Sequence, residues 1–352
     1  MSDSTASYRS MLDAHLESLQ KVLHDSRSAQ KDDRLAPDHL AAALSEVLAN
    51  LHRDFPSETI SENSTADLLA GFWERAQARK IAAPTGLSGL DAALNGGFQA
   101  KRLMVLLGAP GSGKTSLANQ IAEKVAGERP VLYVTSEDAP DVLLAKTLSR
   151  IASIKYSAVL YGWEDYRVAL WDAIEQLRAR PSARLLRYLD VTGGAISLDE
   201  LRERASVFFE EEQGPGLIVV DYLQRMARAT RDLGGIKELR EAVTYLTERL
   251  RALACDLGCT VLAVASMNRA SGYGKNGDAS ALSSAKESGD IEYSADVLMA
   301  LVEDTSNKRS TASWIKPRML RIDKNRLGET LSIPLDWYAD RQQFLTPEKG
   351  GL

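Results

Sequence analysis

The chain has 352 residues, a formal net charge of −5, 44% apolar residues and 26% charged ones. That size and apolar content suit one large domain with something smaller beside it. The acidic balance excludes a general polyanion binder, so any nucleic-acid contact has to come from local basic loops, and no stretch is long and apolar enough for a membrane span.

The two cysteines, Cys255 and Cys259, cannot supply four zinc ligands. They read as core filler, and no disulfide framework is implied. The opening residues, MSDSTASYRS, lack the charged-then-apolar order of a signal peptide. A cytoplasmic protein is expected.

Residues 1–53 read as helical. Leu12, Leu16, Leu19 and Val22 recur at helical spacing, as do Leu40, Leu44, Val47 and Leu51. All four histidines (His15, His24, His39, His52) lie here without ligand-like spacing, as solvated helix residues. Residues 54–83 read as a linker and linker helix. The polar run 55–65 precedes a helix from Ala66 to Lys80, with Ser64 as N-cap and Asp67 three residues on. Leu68, Leu69, Phe72 and Trp73 form its apolar face.

From residue 84 to 347 the pattern is that of a single α/β domain, with a tail at 348–352. Leu103–Leu107, Val131–Thr135, Leu217–Val220, Thr260–Ala265 and Val297–Val302 read as buried strands. Residues 236–257 predict a helix closed by Gly258. Another starts after Ser197, with Glu200 completing a capping box. This alternation implies a mostly parallel sheet with helices on both faces.

The first strand runs into Gly108-Ala109-Pro110-Gly111-Ser112-Gly113-Lys114-Thr115. This is the P-loop pattern in its required setting, strand before and helix after. The glycines let successive N–H groups face phosphate oxygens, and the helix from Lys114 through Ser116 adds its positive end. Lys114 then charges the β- and γ-phosphates of ATP, and Thr115 offers a hydroxyl to Mg²⁺. Asp221, ending the run Leu217–Val220, is placed to complete the Mg²⁺ shell. Glu137, just past Val131–Thr135, is the candidate base for the attacking water, with Asp138 as a competitor.

These segments resemble the C-terminal, RecA-like motor domain of DnaB-family replicative helicases. Pro84-Thr85-Gly86-Leu87 with Leu90-Asp91 resembles the lead into the first strand. Ser136-Glu137 falls where the family has its catalytic glutamate, and Asp190-Val191-Thr192 is similar to its D-D-T segment. Asp221-Tyr222-Leu223-Gln224 matches its D-Y-L-Q signature. Lys286 to Glu292, with Ala295-Asp296, is similar to R-E-S-G-x-I-E…A-D, and Lys324-Asn325-Arg326 with Gly328 to K-Q-R and the following turn.

The resemblance implies a homo-oligomeric ring, usually a hexamer, with ATP between subunits. Lys324 and Arg326 would reach the neighbour's site. Single-stranded DNA would meet Lys286, Glu287 and Gly289, flanked by basic Arg228 and Arg231 and by Arg269 in the Gly-rich run to Gly277. Three features depart from the family. Ser266 stands where it has a γ-phosphate-sensing glutamine, Lys286 replaces an arginine, and residues 1–53 do not resemble its primase-recruiting domain, though they could serve another replication partner. A regulatory ring ATPase without strong unwinding, of plasmid, phage, RadA-like or clock type, is the alternative expectation.

Overall fold

The computed structural model describes residues 20–21, 64–78, 83–194, 196–234, 238–267, 289–305 and 314–347. Of the helices expected in 1–53, only Gln20 and Lys21 are described, and both are helical. The linker before Ser64, the run 268–288 and the tail 348–352 lie outside the described residues. Contacts divide the chain between Phe72 and Trp73.

Helix α1 (Thr65–Leu69) has the expected capping box, with Ser64 and Asp67 bonded reciprocally. The continuous helix expected over 66–80 is not formed. Ala70 leaves helical geometry, Gly71 takes φ +67°, and α2 (Phe72–Ala78) starts anew. A glycine adopts that left-handed backbone at no steric penalty, which is why the chain breaks there. Leu68, Leu69, Phe72 and Trp73 are all exposed.

In the larger unit, α3 (Ser88–Ala93) leads to β1 (Arg102–Gly108) and α4 (Lys114–Val125). Next come β2 (Val131–Thr135), α5 (Pro140–Ala152), α6 (Tyr156–Leu160), α7 (Arg167–Arg178), α8 (Ser182–Leu185) and β3 (Leu186–Asp190). Then follow α9 (Leu198–Glu211), β4 (Leu217–Asp221), α10 (Leu223–Gly234), α11 (Leu239–Asp256) and β5 (Thr260–Ser266). The last elements are α12 (Gly289–Ser294), β6 (Val297–Glu303), β7 (Ile315–Asn325), β8 (Ser332–Tyr338) and β9 (Gln343–Leu345).

One sheet carries the order β3-β2-β4-β5-β1-β6-β7-β8-β9. Strands β3 through β6 in that order pair in parallel, and β7, β8 and β9 extend the sheet antiparallel. All five expected strands are present. Alternate residues of β1 serve opposite faces, as strand geometry requires. Leu103, Val105 and Leu107 pack with Phe208, Leu246 and Leu250 of α9 and α11. Met104 and Leu106 pack with Leu117 and Ile121 of α4 and with Phe344 of β9. The sheet is therefore apolar on both sides and covered on both.

The helix expected at 236–257 is α11, and Gly258 closes it at φ +63°. At α9 only half of the expected capping box forms. Ser197 accepts from the Glu200 amide at 3.1 Å, but the Glu200 carboxylate turns to Arg204 at 2.7 Å. Cys259 is buried filler, its thiol pushed up to about 12 by desolvation. Cys255 is exposed, because it faces away from the sheet side of α11, and so is not core.

Gly216, which leads into β4, has no room for a side chain. An added Cβ would stand 1.7 Å from the Pro130 carbonyl oxygen, which accepts from the Leu217 amide at 2.9 Å. Gly216→Ala is expected to destabilise the fold by about 1–3 kcal/mol or more, read as a lower midpoint in urea.

Candidate active site

β1 ends at Gly108 and α4 begins at Lys114. Between them Gly111 (φ +75°) and Gly113 (φ +97°) supply the left-handed turns that bend the backbone into a cradle. The cradle opens on the positive end of a 12-residue helix. The Ser112 hydroxyl is buried and without a hydrogen-bond partner among the described residues. A buried hydroxyl of that kind suits a phosphate oxygen. Lys114 Nζ donates to the Ala109 carbonyl at 2.9 Å. Burial pulls its ammonium below the ordinary lysine value, and the carboxylates of Asp221 and Glu137 pull it back. A cavity of about 390 Å³ is lined by this loop, Glu137, Asp138, Asp221, Ser266, Trp337 and Gln342.

Sheet order explains how these groups meet. β5 lies between β1 and β4, so its last residue, Ser266, stands between the phosphate loop and Asp221. The Gln224 side chain holds Ser266 by both its amide (3.1 Å) and its carbonyl (2.9 Å). β2 is pinned to β4 at the same end: Ser136 donates through its amide (2.8 Å) and hydroxyl (3.0 Å) to the Asp221 carbonyl. This fixes where the chain turns toward Glu137.

The two acidic candidates after β2 have different surroundings. Asp138 is ion-paired with Lys146, and its carbonyl accepts from the Thr135 hydroxyl. Among the described residues no hydrogen bond or ion pair holds the exposed Glu137, which lines the cavity. A carboxylate left in that position can accept a proton from water.

Asp221 is buried, and desolvation raises its carboxyl above the usual carboxylate range. Hydrogen bonds from Tyr133 and Thr115 oppose that rise. Tyr133 is fully buried and donates to Asp221 Oδ2 at 2.7 Å. Sequence reasoning missed it. Its one signal was a hydroxyl-bearing residue in an otherwise apolar buried run. Tyr133→Phe is expected to raise the Mg²⁺ concentration for half-maximal ATP turnover about three- to tenfold, checked by a Mg²⁺ titration.

The loop is also braced from behind. Trp337 and Phe344 stack at 5.7 Å between ring centres. A Cβ on Gly113 would lie 2.8 Å from Phe344 and 3.1 Å from Trp337. Ser116 bonds to Gln342 Oε1 at 2.5 Å, and the Gln120 amide makes paired 2.8 Å bonds to the Phe344 backbone. Behind α4, buried Arg150 donates to Asn119 Oδ1 (2.6 Å) and Thr147 Oγ1 (2.9 Å). Burial draws that guanidinium down to about 10, so it stays charged at neutral pH.

The DnaB-like helicase C terminal domain family matches residues 82–346. The chain belongs to that family. It is 27% identical to the replicative DNA helicase DnaB of Haemophilus influenzae over 223 residues, 62% of this chain and 46% of that one. It is 26% identical to replicative DNA helicase DnaB of Leifsonia xyli over 264 residues, 74% of this chain and 55% of that one. The chain thus spans about half the length of the curated relatives it matches. A solved DnaB-like replicative helicase, described with its interactions with primase, superposes with a TM-score of 0.74 at 17% identity, covering 98% of this chain and 78% of that one.

Of the other residues expected of a DnaB-type site, none among the described residues lines this cavity. Lys324 and Arg326 lie at the opposite end of the sheet. β6 pairs Val297 with Met104 of β1 and with Asn325 of β7. Gly108 is four residues further along, about 13 Å of strand. Lys324 Nζ and Arg326 Nη2 each donate to the Tyr293 carbonyl at 3.2 Å. Arg228 is exposed on α10. Arg231 follows on the same helix, with its side chain outside the described residues, as are Arg269, Lys286 and Glu287. Gly289 begins α12.

Proposed function

We propose that the chain is an ATP-hydrolysing motor that moves on single-stranded DNA in replication, working as a ring of identical copies, six in the usual family arrangement. Gly108 to Ser116 bind the triphosphate. Lys114 neutralises its charge. Thr115 and Asp221 are hard oxygen donors that suit Mg²⁺, which would supply charge neutralisation at the β- and γ-phosphates. Glu137 takes the proton of the attacking water, and Ser266, which lines the cavity, reaches the γ-phosphate through a water.

One observation carries the ring: Arg326 sits at the end of the sheet away from its own phosphate loop. That distance from its own loop supports a reading in which Arg326 serves a second copy stacked head to tail. An arginine lent in this way stabilises charge at the transferring phosphoryl group. DNA would contact Arg228, Arg231, Arg269, Lys286, Glu287 and the Gly289 backbone. Repetition around a ring turns a modest patch into a positive collar, which reconciles polyanion binding with a net charge of −5. Residues 1–53 would receive another replication protein.

The test measures ATP turnover with and without single-stranded DNA as salt rises, beside the mass of the protein with ATP. DNA is expected to stimulate turnover, and the stimulation to fall steeply with salt as counterion release weakens phosphate contacts. Turnover indifferent to DNA at low salt, from a single-copy protein, would sink the reading. A second reading, a ring that hydrolyses ATP without strong unwinding, is favoured by Ser266, whose short hydroxyl replaces the longer amide of the family. Salt-sensitive stimulation by DNA without strand separation would select it.

A further inference from the structure

Asp296 is fully buried between α12 and β6. Its Oδ2 accepts from the Leu103 amide at 3.0 Å. Its Oδ1 lies 3.3 Å from Arg251 Nη2, 3.4 Å from Arg102 Nη1 and 3.5 Å from Arg326 Nη1. Among the described residues it is the one carboxylate paired with any of these three arginines. The backbone is fixed too. The Asp296 amide donates to the Leu103 carbonyl, and its carbonyl accepts from the Arg326 amide, both at 2.9 Å. Arg251 is further anchored to the Ser294 carbonyl at 2.9 Å.

Stripping a buried charge of its sole partner is strongly destabilising, because the remaining ion is left uncompensated. Asp296 is arranged so that this does not happen when Arg326 leaves. Two guanidiniums and a backbone amide stay on the carboxylate. Arg326 has the longest contact of the three and the most exposed side chain, 42% against 35% for each of the others. Arg102 is rooted in β1 and Arg251 in α11, whereas Arg326 follows the last residue of β7.

We infer that Asp296, whose charge Arg102 and Arg251 already compensate, is a rest position for Arg326, from which its guanidinium passes to a phosphate bound by a second copy of this chain. The inference rests on the shared-site reading above. Asp296 is then a positioning residue. Arg102 and Arg251 are positioning residues as well, since they keep the carboxylate compensated while Arg326 is away. Without them, Asp296 would hold Arg326 as its only counter-ion and withdraw it from the neighbour's site.

The experiment uses the full chain and two readouts, ATP turnover and melting temperature. Arg102→Met with Arg251→Met is expected to lower turnover about tenfold, and adding Asp296→Asn to restore most of it. Turnover is compared at a temperature where the melting curves show every variant fully folded, so that a loss of fold around the less compensated carboxylate is not read as a turnover defect. Arg326→Ala is expected to lower the melting temperature by no more than about 2 °C in the native background, and by about 5 °C or more in the double-methionine background. Equal losses in both backgrounds overturn the inference, as does a turnover defect that Asp296→Asn fails to reverse. Should the double variant not fold, Arg251→Met alone carries the same test with smaller effects of the same sign. If the melting temperatures behave as expected while Arg326→Ala leaves native turnover unchanged, the rest position stands and the shared-site reading falls.

Discussion

Replacing Arg326 with alanine is expected to lower ATP turnover about 10³–10⁵-fold, the range for an arginine supplied across an interface. Nucleotide affinity of an isolated copy should not change, because Arg326 lies at the far end of the sheet from its own phosphate loop. The two measurements together separate a lent cation from a binding residue. Mixing extends the test. Arg326→Ala copies retain Glu137, and Glu137→Gln copies retain Arg326. In an equal mixture of head-to-tail copies about one interface in four combines a native Glu137 with a native Arg326. Turnover should reappear on mixing two inactive preparations. Continued silence from a mixture that forms rings would remove the sharing of residues between copies.

Lys114→Ala is expected to abolish turnover for a different reason, at the level of binding. Lys114 is the first residue of α4, and burial of its ammonium leaves it dependent on Asp221 and Glu137 for compensation. Its replacement removes the cation meant for the β- and γ-phosphates from a low-dielectric site, a loss of about 10²–10³ or more in rate for a single such group. Affinity for ATP should drop as well, measured by calorimetry. The folded chain should survive, because the one hydrogen bond that the Lys114 ammonium makes among the described residues is to a loop carbonyl. The contrast is Glu137→Gln, which should bind ATP normally and turn it over very slowly. If Lys114→Ala binds ATP as well as the native chain, the cradle is not the triphosphate site.

The parallel half of the sheet was legible because its strands are continuous apolar runs, covered on both faces. β3 was not. None of its residues is buried, and Arg187 and Asp190 break the apolar signal of this edge strand. β7 to β9 were missed for a related reason: antiparallel strands with one wetter face carry a weaker pattern, and Pro317 within β7 argues against a strand. The glycine loop and Asp221 could be singled out from local order, since each follows an apolar run, whereas the choice of Glu137 over Asp138 rested mainly on the family resemblance. What supports them was not legible. Tyr133 reaches Asp221 across 88 residues of sequence, and Ser116 reaches Gln342 across 226. Such pairs exist only once the sheet order is known. Resemblance pointed to Arg326, but its partners Asp296 and Tyr293 emerge only from the register of β6 on β7.

The brace behind the phosphate loop has a consequence for how the protein is made. Trp337, Gln342 and Phe344, which back the loop from Gly108 to Thr115 and tie down α4, are translated more than two hundred residues after it. The glycine loop is thus backed by nearly the last part of the domain to be synthesised, and in a nascent chain its brace is complete only when the closing hairpin has emerged.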